Sequence, residues 1–233
     1  MTRALDQDEV RSLDLQPTER VTSNDTVYAD LRELVISGRI ASGQSLSTRT
    51  LAATLGPSAM PVRSALQRLA DDGALKGRKN RTYRIPALSP REFVEILRLR
   101  LVLEVAAARQ ATPLLTAQAV DRLERIQARM YGPVPLDLNA FLFLNREFHF
   151  ILYAAADNFR QLRFTESLWL QIGPLLRLVS NETQDRTGQD AHGDMLAAAR
   201  SRDGDAMAPA MSRDIEEATV DILAWLHPQN DEK

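Results

Sequence analysis

The 233-residue sequence contains no cysteine, which excludes three kinds of chemistry at once. The chain forms no disulfide framework, offers no thiolate nucleophile and binds no zinc through thiolates. It has only ten glycines, and neither a Gly-x-Gly-x-x-Gly pattern nor a Walker phosphate loop occurs. The sequence therefore weighs against nucleotide chemistry, and the missing cysteines agree with a reducing cytosol.

Long apolar runs are missing as well. No stretch approaches the roughly 18–20 apolar residues that a membrane span needs. Residues 1–20 mix acids with arginines and lack the apolar core of a signal peptide. The hydrophobic content of 44% is ordinary for a globular protein. We therefore expect a cytoplasmic protein with no membrane partner, folded as one large domain or two modest ones.

The net charge of −2 hides an uneven distribution. Residues 21–86 hold ten basic and five acidic side chains, which gives a net +5. The chain after residue 86 holds 16 basic and 21 acidic side chains, which gives a net −5. Such asymmetry favours contact of the basic segment with nucleic acid or a membrane surface, although a solvated charged surface also explains it.

The hydrophobic pattern predicts two domains after an aperiodic, polar arm at residues 1–23. Residues 24–86 read as three short helices followed by a cationic hairpin. Residues 90–228 read as helices alone, with Thr116 and Asp137 as N-caps. In the first domain the helices are expected from Asp25 to Gly38, Ser47 to Leu55 and Ser58 to Ala70, with the hairpin at 74–85. In the second domain they are expected at 90–110, 116–131, 137–156, 160–179, 189–201 and 205–226.

Three short helices and a cationic hairpin are typical of a winged helix-turn-helix, whose third helix enters the major groove. Arg63 lies opposite Val62 and Leu66, which leaves its guanidinium free for a guanine or a phosphate. A generic three-helix bundle with surface arginines has the same spacing. The net positive charge and the position of the hairpin favour the DNA-binding interpretation.

The run LSTRTLAATLGPSAMPVRSALQRLADDGAL resembles the signature of GntR-type bacterial transcription regulators. The helical remainder resembles the FCD effector domain of the fatty-acid-regulator subgroup. The matching residues are Leu51-Ala52, Ser58, Pro61-Val62-Arg63, Ala65-Leu66, Leu69 and Gly73. The resemblance implies a mainly α protein, with an N-terminal winged helix-turn-helix domain and a C-terminal all-α antiparallel helical bundle.

In that subgroup DNA is contacted by an arginine of the second helix, the start of the recognition helix and the wing. Ala59 and Met60 replace the polar or basic residues common there, so base recognition leans on apolar contact with thymine methyl groups. Asn80 stands where the wing usually has glycine. The implied DNA-binding residues are Arg49, Ser58, Ala59, Met60, Arg63, Lys79, Asn80 and Arg81.

The segment at 137–156 is apolar nearly all round, which is typical of a buried central helix. Asn145 and His149 are four residues apart and so share one face of it. A hydrogen-bonded core histidine would explain His149 by itself. In many FCD domains an Asp and three His at this spacing hold a divalent metal, and the corresponding residues here are Asn145, His149, His192 and Asp214.

Two imidazoles and a carboxylate are sufficient ligands for Zn²⁺, Mn²⁺ or Ni²⁺, and they leave open positions for an effector. Asn145 would add a carbonyl oxygen. Alternatively, the site has lost its metal and binds an effector through hydrogen bonds alone.

The effectors of the family are mostly small carboxylates. Arg100 belongs to an Arg-x-x-Leu-Glu element that resembles one in the family, and its guanidinium can clamp a carboxylate. An ion pair with Glu104, one turn later, explains it equally well. The predicted effector-binding residues are Arg100, Asn145, His149 and His192.

The sequence thus predicts a transcription regulator, most relatives being repressors, that binds operator DNA and a carboxylate effector. A homodimer would make the operator a near-palindrome. Two alternatives stay open, namely a bundle that only dimerises and a metal-dependent helical enzyme. No nucleophile, base at suitable spacing or phosphate loop supports the enzyme.

Overall fold

A computed structural model of the chain describes residues 7, 24–55, 59–78, 82–182 and 189–227. Contacts divide the chain into two units. One comprises residues 1–87 with 169–175, and the other residues 88–168 with 176–233. Among the described helices, none combines the length and hydropathy needed to cross a bilayer.

Residues 24–55, 59–78 and 82–87 form three helices and a small antiparallel sheet, and the predicted helical triplet is confirmed. Glycines at positive φ end two of these helices, Gly38 at +66° and Gly73 at +79°, a conformation that costs glycine little. The elements are α1 (Asn24–Ile36), β1 (Ser45–Ser47), α2 (Thr48–Leu55), α3 (Ala59–Asp71), β2 (Lys76–Arg78) and β3 (Thr82–Arg84).

The sheet has three strands in the order β1-β3-β2, so the predicted hairpin gains an extra strand. Tyr83 in β3 is paired with Leu46 on one side and Gly77 on the other. Ser47 was expected to begin the second helix. It ends β1 instead, and its hydroxyl accepts a hydrogen bond from the Thr50 N–H at 3.4 Å, so it caps α2 from the strand.

Residues 88–182 and 189–227 form six helices, whose ends agree with the sequence-based expectations to within about three residues. Thr116 and Asp137 are confirmed as N-caps, with side chains that accept from Ala119 N and Ala140 N. Ser89 and Glu92 form a capping box at the first helix. The helices are α4 (Pro90–Ala111), α5 (Ala117–Met130), α6 (Leu138–Ala155), α7 (Phe159–Glu182), α8 (Gln189–Ser201) and α9 (Gly204–Leu226), and a 3-10 turn (Thr112–Leu114) follows α4.

Helix α9 packs against α4 and α8, and α4 also packs against α6. This arrangement brings α4, α6, α8 and α9 around one interior. Helix α6 is less enclosed than its apolar sequence indicated, because Phe143 remains 45% exposed. Its fully buried face carries Leu142, Phe148, His149 and Tyr153.

Candidate nucleic-acid interface and metal centre

Helix α3 is amphipathic and presents one exposed face near its N-terminus. Val62, Ala65, Leu66 and Leu69 are buried beneath it. Ala59, Met60 and Arg63 lie on the opposite side, and the Met60 side chain is 67% exposed. The spacing of three and four residues places these side chains on one strip of the helix surface. The strip begins at the helix end that a recognition helix directs at base edges.

Two exposed arginines of the first unit, Arg49 near the start of α2 and Arg63 of α3, make no ion pair with any other described residue. Arg68 differs from them, because its guanidinium bonds Asp25 at 2.6 Å and lies 3.9 Å above the Tyr28 ring. The structure thus separates a stabilising arginine from arginines that are available to a polyanion.

The hairpin is attached to α3 by a side-chain contact. Tyr83 lies in the central strand of the sheet, and its hydroxyl donates to Gln67 Oε1 at 3.1 Å. This bond holds the root of the wing against the helix. Of the predicted DNA-binding residues, Ser58, Lys79, Asn80 and Arg81 lie outside the described residues.

In the second unit, three residues from three helices converge in the interior. They are His149 of α6, His192 of α8 and Asp214 of α9. The two Nε2 atoms lie 3.3 Å apart. Asp214 Oδ2 lies 3.3 Å from His149 Nε2, and its Oδ1 lies 3.2 Å from His192 Nε2. The shorter Asp214 side chain therefore reaches both histidines.

These distances fit a divalent metal. Four-coordinate zinc with bonds of about 2.0–2.1 Å keeps neighbouring ligand atoms roughly 3.3 Å apart. Both histidines direct Nε2 toward the other histidine and toward the Asp214 carboxylate. Imidazole nitrogens and a carboxylate oxygen are ligands that zinc, manganese and nickel accept. The three residues present thus fit a divalent metal in distance and in donor type.

The charges in the cluster agree with this role. Burial raises the pKa of Asp214, but His149 and His192 lower it further, and the result is well below the usual value. Burial lowers the pKa of His192, which outweighs the attraction of Asp214. Near neutral pH the cluster therefore holds an ionised carboxylate and a neutral His192, the protonation states that bind a metal. The ring of Phe148 stacks on His192 with centroids 4.5 Å apart and helps to fix its plane.

A second set of buried polar groups adjoins His149. The Tyr153 hydroxyl lies 3.2 Å from His149 Nδ1 and donates to Glu104 Oε2 at 2.5 Å. Glu104 in turn accepts two hydrogen bonds from Arg100, at 2.6 and 3.1 Å. Burial and the nearby Glu104 raise the pKa of Tyr153 well above its usual value, so the hydroxyl keeps its proton.

Sequence reasoning named Arg100 and Glu104 but did not single out Tyr153. The signal available was its position four residues after His149, which places both on one helix face. The predicted ion pair between Arg100 and Glu104 is present, with Arg100 only 4% exposed. Asn145 is half-buried, one turn before His149 on the same helix.

Two segments of the chain match known families. Residues 23–85 match bacterial regulatory proteins of the gntR family, and residues 95–217 match the FCD domain. The chain is 30% identical over 185 residues to the HTH-type transcriptional regulator McbR of Escherichia coli (strain K12), covering 76% of this chain and 82% of that relative.

Two further comparisons extend over more of the chain. The HTH-type transcriptional repressor RspR of the same bacterium is 26% identical over 210 residues, covering 89% of this chain and 91% of the relative. A solved structure of E. coli McbR/YncC superposes with a TM-score of 0.77 at 27% identity, covering 90% of this chain and 99% of that one.

Proposed function

The chain belongs to the GntR family of bacterial regulatory proteins and carries an FCD domain, and from this premise we propose an effector-controlled repressor whose effector site contains a divalent metal. Its relatives are transcription regulators and not enzymes. The observation that carries the proposal is the convergence of His149, His192 and Asp214 inside the FCD domain. Because operators lie on the chromosome, we infer that it works in the bacterial cytoplasm.

The proposed reading surface is the exposed strip of α3. Arg63 has the length and the hydrogen-bond donors to bind a guanine edge, and Met60 and Ala59 offer apolar contact to thymine methyl groups. Arg49 is assigned to the phosphate backbone, which fixes register without reading sequence. Ser58 at the helix start and the wing residues Lys79, Asn80 and Arg81 complete the proposed contacts.

The proposed metal ligands are His149, His192 and Asp214, and Asn145 would add its amide oxygen from the same face of α6. A bound Zn²⁺, Mn²⁺ or Ni²⁺ would supply open coordination positions for the oxygen atoms of a small carboxylate. The protein's part is to fix the donors: three different helices supply them, so their separation depends on helix packing. An effector that binds one packing better shifts the population toward it.

Arg100 is the remaining residue proposed for the effector site. Its guanidinium is engaged with Glu104, so an effector carboxylate would share it rather than meet a free cation. Arg100 then contributes indirectly, through the buried hydrogen bonds that lead by Glu104 and Tyr153 to His149. Its positive charge also attracts an anion. This keeps the small-carboxylate class as the proposed effector.

We assign dimerisation to four exposed apolar side chains on two helices, called the α4–α7 face below: Leu99 and Val102 of α4, and Phe159 and Phe164 of α7. All four side chains are more than half exposed. Gln161 of α7 donates to the Leu103 carbonyl of α4 at 2.8 Å, so the two helices touch at the residue next to Val102. A two-fold dimer through it would present two reading helices to a near-palindromic operator.

Binding to DNA upstream of the protein's own gene tests the proposal. We expect sequence-preferring, salt-dependent binding that weakens when a small carboxylate is added in the presence of zinc. Absence of preferential binding at every effector level would overturn the repressor assignment. An effector response that is identical with zinc and with a chelator would remove the metal from the proposal. No response to any acid, together with a stable dimer, would favour the bundle as a dimerising domain only.

A further inference from the structure

A line of buried hydrogen bonds leads from the metal-facing histidine to an ion pair on another helix. It connects His149 Nδ1, the Tyr153 hydroxyl, Glu104 and Arg100. Tyr153 and Glu104 are 49 residues apart in the chain and lie on α6 and α4. The side chains of all four residues are buried, so no solvent competes for these bonds.

The direction of each bond follows from the inventory of donors and acceptors. An ionised carboxylate such as Glu104 beside Arg100 only accepts hydrogen bonds, whereas a tyrosine hydroxyl has a single proton to donate. The short contact of 2.5 Å assigns that proton to Glu104. Two rival acceptors lie farther from the hydroxyl: His149 Nδ1, which is uncharged, at 3.2 Å, and Met211 Sδ, a weak acceptor, at 3.7 Å.

With its proton committed to Glu104, the Tyr153 oxygen meets His149 Nδ1 through a lone pair, so Nδ1 must carry a proton. A neutral imidazole protonated at Nδ1 has its lone pair on Nε2. Nε2 is the atom that faces His192 and Asp214. The hydrogen bond at Nδ1, on one side of the ring, therefore keeps Nε2, on the other side, unprotonated and able to bind a metal.

We propose that Tyr153 and Glu104 are positioning residues, called here the Glu104–Tyr153 relay, that hold His149 in its metal-binding tautomer before metal arrives. This inference rests on the proposed metal site. Without the relay, His149 would be free to place its proton on Nε2 and donate it to Asp214, which would block the ligand atom. Among the described residues His192 Nδ1 has no hydrogen-bond partner, so the relay acts on only one of the two histidine ligands, His149.

The first measurement needs no variant. The full-length protein, labelled with ¹⁵N in histidine, is freed of metal and its ring nitrogens are assigned by NMR near pH 7.5. We expect His149 Nδ1 to carry a hydrogen-bonded, slowly exchanging proton. In Tyr153→Phe, which removes only the hydroxyl, that proton should exchange faster and the Nε2-protonated tautomer should become populated. A wild-type Nδ1 without a proton overturns the relay, whatever the protein does with metal.

The second measurement is metal affinity, from competition of Zn²⁺ and Co²⁺ with a chelator of known affinity. Loss of an outer-shell partner of a histidine ligand typically lowers metal affinity about 10- to 100-fold, which is the expectation for Tyr153→Phe. Tyr131→Phe is the matched control: its ring packs edge-on against His192 with centroids 5.8 Å apart, and its hydroxyl bonds no ring nitrogen in the described part of the chain. It should leave affinity within about twofold of wild type.

The outcomes separate the relay from the metal site. Tight zinc binding that is equal in wild type, Tyr153→Phe and Tyr131→Phe overturns the relay and leaves the metal site standing. Equal weakening by both variants assigns the effect to general packing, and so also overturns the relay. No zinc binding by the wild type overturns the metal site, while the tautomer of His149 is still decided by NMR.

Discussion

His149 and His192 are 43 residues apart in the chain, yet their Nε2 atoms lie 3.3 Å from each other. Asp214 reaches both atoms with its two carboxylate oxygens. Two lone pairs and a negative charge directed at one point repel one another unless a proton or a cation lies among them. We therefore expect the loss of any one of these three side chains to change the affinity for a cation.

Replacing His149 with alanine should weaken zinc binding by more than about 100-fold, since even outer-shell losses cost 10- to 100-fold. His227→Ala is the control, because His227 follows the last helix and is exposed. Affinities are measured by chelator competition, and circular dichroism checks that helix content is retained. Unchanged zinc affinity in a folded His149→Ala protein would contradict the ligand assignment.

Metal removal should lower the melting temperature of the FCD domain. Free zinc at 100 times its dissociation constant adds about 2.7 kcal/mol to the free energy of unfolding, which corresponds to roughly 5–11 °C in a protein of this size. The measurement is a thermal scan with zinc and with a chelator.

Asp214→Asn, which keeps the shape but removes the charge, provides the comparison for that scan. We expect its zinc-dependent shift to be much smaller than that of the wild type, because an amide oxygen is a weak ligand. A wild-type melting temperature that is the same under both conditions would argue for a site without metal.

A feature of this site could be predicted from sequence when the residues that determine it are close together in the chain. Helix ends follow from local chemistry, so Thr116, Asp137 and Gly73 gave reliable boundaries. The spacing of His149, His192 and Asp214 was available through the family resemblance. Their actual distances were not, because these depend on how three helices pack.

The features that sequence missed are those with distant partners. Tyr153 carries no local sign that its hydroxyl bonds Glu104, 49 residues earlier. Strand β1 is only three residues long, too short for alternation to be visible, and it exists because Leu46 pairs with Tyr83. The apolar sequence of α6 likewise indicated full burial, although Phe143 is half exposed.

Replacing Arg63 with alanine should weaken operator binding by about 1–3 kcal/mol, or roughly 5- to 150-fold, and relax discrimination at one base position. Arg49→Ala should instead weaken binding to all sequences alike and reduce the salt dependence. Fluorescence anisotropy with operator and scrambled duplexes at several salt concentrations measures both effects.

Arg91→Ala controls for the loss of one positive charge, since Arg91 is 88% exposed in the second unit and pairs with Glu95. Its operator affinity should equal that of the wild type. Full operator affinity in Arg63→Ala would remove this residue from the reading surface.

The last prediction concerns assembly. Val102 and Val220 are each 67% exposed on helices of the second unit, but only Val102 belongs to the α4–α7 face. Val102→Glu would bury an unpaired charge in a dimer formed through that face, so we expect a monomer in light scattering and lower operator affinity because one reading helix is lost. Val220→Glu, with the same chemical change at the same exposure, should stay dimeric. Equal masses for the two variants would assign the dimer contact elsewhere.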